Sequence, residues 1–226
     1  MTPPKEARLV KQDLDGIISV FIGLGLIDDS NFSTLRQVDG KWEITFTGAE
    51  YISIGYSDIG YNEIYQELVN KRSYNARLID GGLLQMMYLF DGGKLLQHRL
   101  AYLPSPTLRS FQEDPESYLR DDLFLEIVSR RIIPFPLRFD YDDRKDVHKD
   151  VLHPRSHLTL GDVENCRVPV TSGLSPRRFI EFVIRNFYQT QKLDFVKSLP
   201  AHKLHLPESI TANERRLIHL ASPAEA

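Results

Sequence analysis

The sequence predicts an α+β fold in which an antiparallel sheet, built from hairpins and a meander, packs against several helices. Three observations carry that expectation. Asp39-Gly40 and Asp91-Gly92-Gly93 each separate runs of alternating apolar residues, the pattern of a β-hairpin with a tight turn. Ser175-Pro176 opens an amphipathic helix, because serine is a favoured N-cap and proline at the first helical position sacrifices no hydrogen bond. Strands and helices are mixed, with hairpins dominating, so α+β is the natural class.

The elements follow in order. Val10, Leu14, Ile17, Phe21 and Leu24 recur at steps of three and four and predict a first helix, with Gly23 and Gly25 weakening its end. Residues 33–38 and 41–47 form the first hairpin, with Trp42, Ile44 and Phe46 sharing a face. Tyr61, Ile64, Tyr65 and Leu68 read as a helix, with Ser57 or Asp58 as its cap. Residues 83–90 and 94–103 form a second hairpin. Its first strand is apolar on both sides, as expected of a central strand. Pro104 to Pro115 reads as loop, and Leu119, Leu123 and Ile127 as one helix ended by Pro134 and Pro136. Residues 135–142, 157–160 and 167–170 are strand candidates. Phe179, Phe182, Val183 and Phe187 dock the Ser175 helix on the core, and Thr211 with Glu214 has capping-box spacing for a short last helix.

A chain of 226 residues is expected to form one domain over 1–226. Within it we expect an N-terminal helical part (1–28), the sheet and core helices (30–190) and a C-terminal extension (191–226). The net charge of −3 gives no global attraction to nucleic acid or an anionic membrane, so such binding would need a local basic patch. The lone cysteine, Cys166, excludes an intrachain disulfide and a cysteine-cluster zinc site, and it packs more simply than it reacts. The N-terminus lacks a signal-peptide layout, and residues 17–27 are too short and too interrupted to span a bilayer. A cytoplasmic chain without a cofactor or membrane contact is expected.

Chemistry is expected between Arg138 and Tyr188. His153 and His157 could share a zinc only across a bend at Pro154, since on one strand they would lie about 13 Å apart. A metal-free reading uses them as acid and base, with Arg155 beside them, for cleavage of a phosphodiester. Arg167, Arg177, Arg178 and Arg185 are the candidate anion ligands. Arg177 and Arg178 stand in the first turn of a helix, where the macrodipole disfavours cations, so a bound anion, a carboxylate partner or simple exposure must account for them. Asp140 and Asp142, with Asp143 and Lys145, are an alternative magnesium cluster. The structural alternative is that the histidines satisfy backbone groups and the arginines pair with Asp140, Asp142, Asp162 or Glu181. Tyr51, Tyr56, Tyr61 and Tyr65 could stack on bases, but at such spacing they pack at the core edge.

Several ordered motifs resemble a bacterial family known as domain of unknown function 2290. They are Pro136-Leu-Arg-Phe-Asp-Tyr-Asp142, His153-Pro-Arg-Ser-His-Leu-Thr-Leu-Gly161, Asn165-Cys-Arg-Val-Pro169, Ser175-Pro176 and Arg185-Asn-Phe-Tyr188. Pro104-Ser-Pro-Thr-Leu-Arg109 and Phe111-Gln-Glu-Asp-Pro115 resemble it too. The resemblance implies a bacterial, cytoplasmic origin and supplies no activity. A shorter likeness, in the Arg-x-Asp-x-Asp strand and the His-Pro segment, is to small toxin-type ribonucleases. It implies a toxin-like or phage-defence setting. Two functions are therefore carried forward: a metal-independent ribonuclease or phosphodiesterase, and a non-catalytic subunit that docks a protein partner in a defence or nucleic-acid-processing complex.

Overall fold

The computed structural model describes residues 2–50, 60–130, 135–161, 166–189, 194–200 and 202–222. The expected caps Ser57 and Asp58, together with Tyr51, Tyr56, Pro134 and Asp162, lie outside them. Five α-helices and nine strands are found among the described residues: α1 (Lys5–Gly23), β1 (Ile27–Ser30), β2 (Thr34–Val38), β3 (Lys41–Thr45), α2 (Tyr61–Asn70), β4 (Ala76–Leu78), β5 (Leu83–Asp91), β6 (Lys94–Leu103), α3 (Pro115–Leu119), α4 (Asp122–Ile127), β7 (Leu137–Asp142), β8 (Ser156–Leu160), β9 (Arg167–Pro169) and α5 (Pro176–Phe187). The strands form one antiparallel sheet in the order β1-β4-β5-β6-β7-β8-β9, and the β2–β3 hairpin joins it through β3 on β5. One edge of β5 is therefore shared. β4 pairs with Leu83 and Leu84 at its start, and β3 with Tyr88 to Phe90 at its end.

The turn chemistry acts as the sequence predicts. Asp39 and Gly40 take φ of 49° and 77°, the two positive angles a two-residue hairpin turn requires. In the second hairpin Asp91 pairs with Lys94, so Gly92 and Gly93 make the turn. The expected helix around Leu119 to Ile127 is instead two short helices. Asp114 accepts from Ser117 N–H, and Asp121 accepts from Leu123 and Phe124 N–H, so each helix has its own aspartate cap. A cap at Asp121 ends one helix where it starts the next, and Leu119 is left exposed.

Strand alternation divides the sheet into two faces. On one face Leu84, Met86, Tyr88, Leu100, Tyr102, Leu137, Phe139 and Leu158 are buried in the main core, together with Leu14, Ile17 and Phe21 of α1 and Phe179, Ile180 and Val183 of α5. Phe139 meets Phe179 and Phe182 edge to face. On the opposite face Leu83, Ala101 and Leu103 join Phe46, Tyr65 and Leu68 in a second cluster under α2. That cluster covers only one end of its face.

The segment before α5 crosses the main core against β5 and β6. Leu174 N–H donates to His98 Nε2 (2.9 Å), and Tyr88 O–H donates to Leu174 O (3.0 Å). The chain after α5 then returns across the molecule. Val196, Leu199 and Leu204 enter the main core, His202 binds the fully buried Asp13 through its ring and its backbone N–H, and Leu220 bridges Val170 in parallel.

Two measurements test this arrangement. Phe179→Ala leaves a void at the α5–sheet contact and should lower unfolding stability by about 3–5 kcal/mol, read from the urea midpoint. Burial pushes the His98 imidazole down to about 4, below its unfolded value near 6.5. The unfolded chain then binds more protons between those values, so the contribution is complete above pH 6.5 and is lost as pH falls towards 4. Its size is on the order of 3 kcal/mol, and His98→Gln should flatten the acid limb of the stability curve.

Candidate functional site

The uncovered end of the second face is a groove of about 500 Å³. Strand register builds it from the outward residues of successive strands. Gln97 faces Asp142, Arg99 faces Asp140 and Ala101 faces Arg138 between β6 and β7. Asp140 in turn faces His157, and Arg138 faces Thr159, between β7 and β8. Thr159 faces Arg167 across to β9. Met87, Leu89 and Glu43 extend the lining over β5 and β3, and Arg144 and His153 close its end. Because Leu137, Phe139 and Tyr141 are held in the main core, Arg138, Asp140 and Asp142 must point into the groove.

Both predicted histidines line this groove. His153 is not on β8. It pairs with Lys149 through two backbone hydrogen bonds that close a turn, and Pro154 bends the chain before the strand begins at Ser156. The bend brings the two rings to a centroid distance of 5.1 Å, edge to face. The 13 Å separation expected on a single strand is therefore not observed. His157 Nδ1 lies 2.9 Å from Pro154 O, so it carries the proton and donates, leaving Nε2 with its lone pair 3.8 Å from Asp140 Oδ2. Burial holds the His157 imidazole below its ordinary value, against the pull of Asp140. Burial and the Arg167 charge do the same for His153.

The carboxylates are already engaged by cations. Arg138 Nε donates to Asp140 Oδ2 (2.5 Å). Arg144 grips Asp142 through Nε and Nη2, and Gln97 donates to the same carboxylate. Burial pushes the Asp142 carboxyl up, but these bonds hold it below the usual range. A magnesium ion on Asp140 and Asp142 would have to displace the guanidinium groups of Arg138 and Arg144.

The remaining predicted residues separate. Arg155 lies outside the groove lining and pairs with Asp143, which also binds Lys94. Arg177 and Arg178 both bind Glu181, and Arg177 also donates to Leu199 O and Lys197 O. A carboxylate one turn along the helix thus accounts for the two cations in its first turn. Arg178 additionally lines a separate cavity of about 400 Å³ beside Ser175, Lys203 and His205. Arg185 is exposed on the last turn of α5, where a cation suits the dipole.

Arg99 escaped sequence reasoning. Burial pushes its guanidinium below the ordinary arginine value, the Arg138 charge adds to this, and Asp140 opposes it. Its Nε is buried without a hydrogen-bond partner among the described residues. The signal was the alternation of Gln97 and Arg99 along β6, polar residues on the side of a central strand that a closed sheet would bury. Arg99 and Arg138 also line a second cavity, of about 330 Å³, that runs towards Tyr61, Ile64 and Phe135.

A sequence model of the family described as "Uncharacterized conserved protein (DUF2290)" matches residues 26–222. The chain belongs to this family. The match contains every strand of the sheet and the whole groove, whereas α1 precedes it. No curated protein and no solved structure matches the chain. No helix among the described residues is long and apolar enough to cross a membrane.

The groove yields a binding prediction. Inorganic phosphate or sulfate should raise the melting temperature of the wild type, because a ligand that binds only the folded state stabilises it by mass action. Arg99→Met should abolish that rise while still folding, since Asp140 keeps Arg138 as its ion-pair partner and the Arg99 Nε has no hydrogen bond among the described residues to lose.

Proposed function

We propose that this protein is a metal-independent phosphodiesterase acting on RNA, with His157 and His153 exchanging protons and Arg99, Arg138 and Arg167 lining the phosphate position. The observation that carries the reading is the convergence of His153 and His157 with Arg99, Arg138 and Arg167 in one open groove. His157 is oriented by Pro154 and keeps its Nε2 lone pair, so it takes the proton of the attacking ribose 2′-hydroxyl. The 2′-oxygen forms a bond to phosphorus as the bond to the 5′-oxygen breaks. His153 in its protonated form donates to that leaving oxygen, giving a cyclic phosphate and a 5′-hydroxyl. The arginines stabilise charge on the phosphoryl oxygens. No phosphate fits between rings 5.1 Å apart, so the His153 ring must rotate away from His157 in the reactive complex.

Cleavage of a labelled single-stranded RNA in the presence of chelator, well below the unfolding temperature, tests this. His157→Ala should lose about 10²–10⁴-fold in rate. A phosphodiester with a nitrophenol leaving group needs no proton donor, so His153→Ala should retain its rate on that substrate and lose it on RNA. One ring must be neutral and the other charged. Both values lie below the ordinary one, so the rate should peak on the acidic side of about pH 6.5 and fall as pH rises through neutrality. Growth arrest on expression of the wild type, absent for His157→Ala, would support a toxin-like or phage-defence role.

A second reading, as a non-catalytic subunit, draws on exposed apolar residues. Leu152 is 71% and Ile218 90% exposed, on two turns joined through Val151 N–H and the Glu214 carboxylate. RNA left intact by the wild type, with a partner protein retained by it and lost by Leu152→Asp, would favour this reading.

A further inference from the structure

Away from the groove lining, the His153 turn meets the C-terminal segment at His148, Asp150 and Glu214. One ligand atom from each lies within 4.8 Å of the others. Glu214 is fully buried, His148 is 18% exposed at its side chain, and Asp150 faces solvent. We propose that these three side chains form a zinc site, completed by water on the Asp150 side.

Three features support it. First, His148 Nε2 lies 3.5 Å from Glu214 Oε1 and, although buried, has no hydrogen-bond partner among the described residues. That separation is too long for a charge-assisted hydrogen bond, which is normally about 2.7–2.9 Å. It matches two ligands on one tetrahedral zinc, which at bond lengths of 2.0–2.1 Å stand about 3.4 Å apart. Second, the other groups of the cluster are already oriented. Glu214 Oε2 accepts from Thr211 N–H (2.8 Å), and the weaker Val151 contact (3.4 Å) leaves Oε1 directed at His148. Asp150 accepts from Thr211 Oγ1 and Asn213 Nδ2, each oxygen keeps a second lone pair, and from the solvent side this carboxylate closes the remaining gap when an ion binds. Such outer partners set ligand direction in zinc sites. Third, one imidazole and two carboxylates with an accessible fourth position is a donor set that zinc accepts. The reciprocal bonds between Thr211 and Glu214 explain the buried Oε2 but not the orphaned His148 nitrogen facing Oε1.

The site would tie the loop that carries His153 to the chain end, independently of any chemistry in the groove. It is tested by dialysing the full chain against chelator, removing the chelator, and titrating with zinc by calorimetry and thermal melting, with cobalt absorption as the geometric readout. The expected result is one zinc per chain, a raised melting temperature and the visible bands of tetrahedral cobalt. His148→Ala and the solvent-side Asp150→Asn should each weaken binding by more than about 10-fold, since even outer partners of a ligand contribute 10–100-fold. Asp150→Asn guards against misfolding, because it keeps the shape of an exposed group. The proposal is overturned if the wild type takes up no zinc below millimolar concentration. It also fails if both variants bind as the wild type does while His153→Ala or His157→Ala abolishes uptake, which would place the cation in the groove.

Discussion

The antiparallel register between β6 and β7 is the constraint on which the rest depends. Leu100 opposite Phe139 and His98 opposite Tyr141 fix which residues meet α5, and the same pairing fixes Arg99 opposite Asp140 on the far side. A slip of one residue would exchange the two sets, placing Arg138 and Asp140 in the core and Leu137 and Phe139 in water. Burial of the aromatic cluster under α5 therefore also locks the polar residues into the groove. Fold and candidate site rest on one interaction, not two.

The groove exists because the second face is covered unevenly. α2, Phe46 and Tyr74 seal Leu83, Ala101 and Leu103, and the cover ends where Arg99 begins. Arg99 stands at that boundary with its charge largely withdrawn from water and only part of its hydrogen-bonding capacity used. A buried cation of this kind is costly unless something answers it. Asp140 answers in part, but it also binds Arg138 and faces His157, so positive charge remains in excess along this line of strands.

The C-terminal segment has two roles that its composition does not advertise. It fills the main core with Val196, Leu199 and Leu204, and it satisfies polar groups that would otherwise be stranded. Asp13 lies on the buried face of α1 and would be an isolated charge without His202. Glu214 is fully buried between its own capping bonds and His148. The position of the His153 turn is thereby coupled to a segment some 60 residues further on, through Val151 and Glu214.

Much of this protein is set locally and can be read from the sequence. Asp-Gly pairs close hairpins, Ser175-Pro176 starts a helix, and alternation in Leu137, Phe139 and Tyr141 names the face that is buried. These follow from backbone conformation and periodicity, which depend on neighbours a few residues away. His153 and His157 were legible as candidate site residues, but strand geometry placed them about 13 Å apart, and the turn that brings their rings to 5.1 Å entered only as the exception at Pro154. What the sequence could not supply was everything that depends on partners distant in the chain. It could not show that Glu181 absorbs Arg177 and Arg178, nor that Arg155 turns to Asp143. It could not show that Arg99, 54 residues before His153, completes the groove. Nor could it show that Glu214, with its capping-box spacing, makes those reciprocal bonds on a single 3-10 turn while facing His148. Periodicity assigns a side chain to a face, but only tertiary packing decides which other charges share that face, and hence whether a cation is neutralised or left for a ligand.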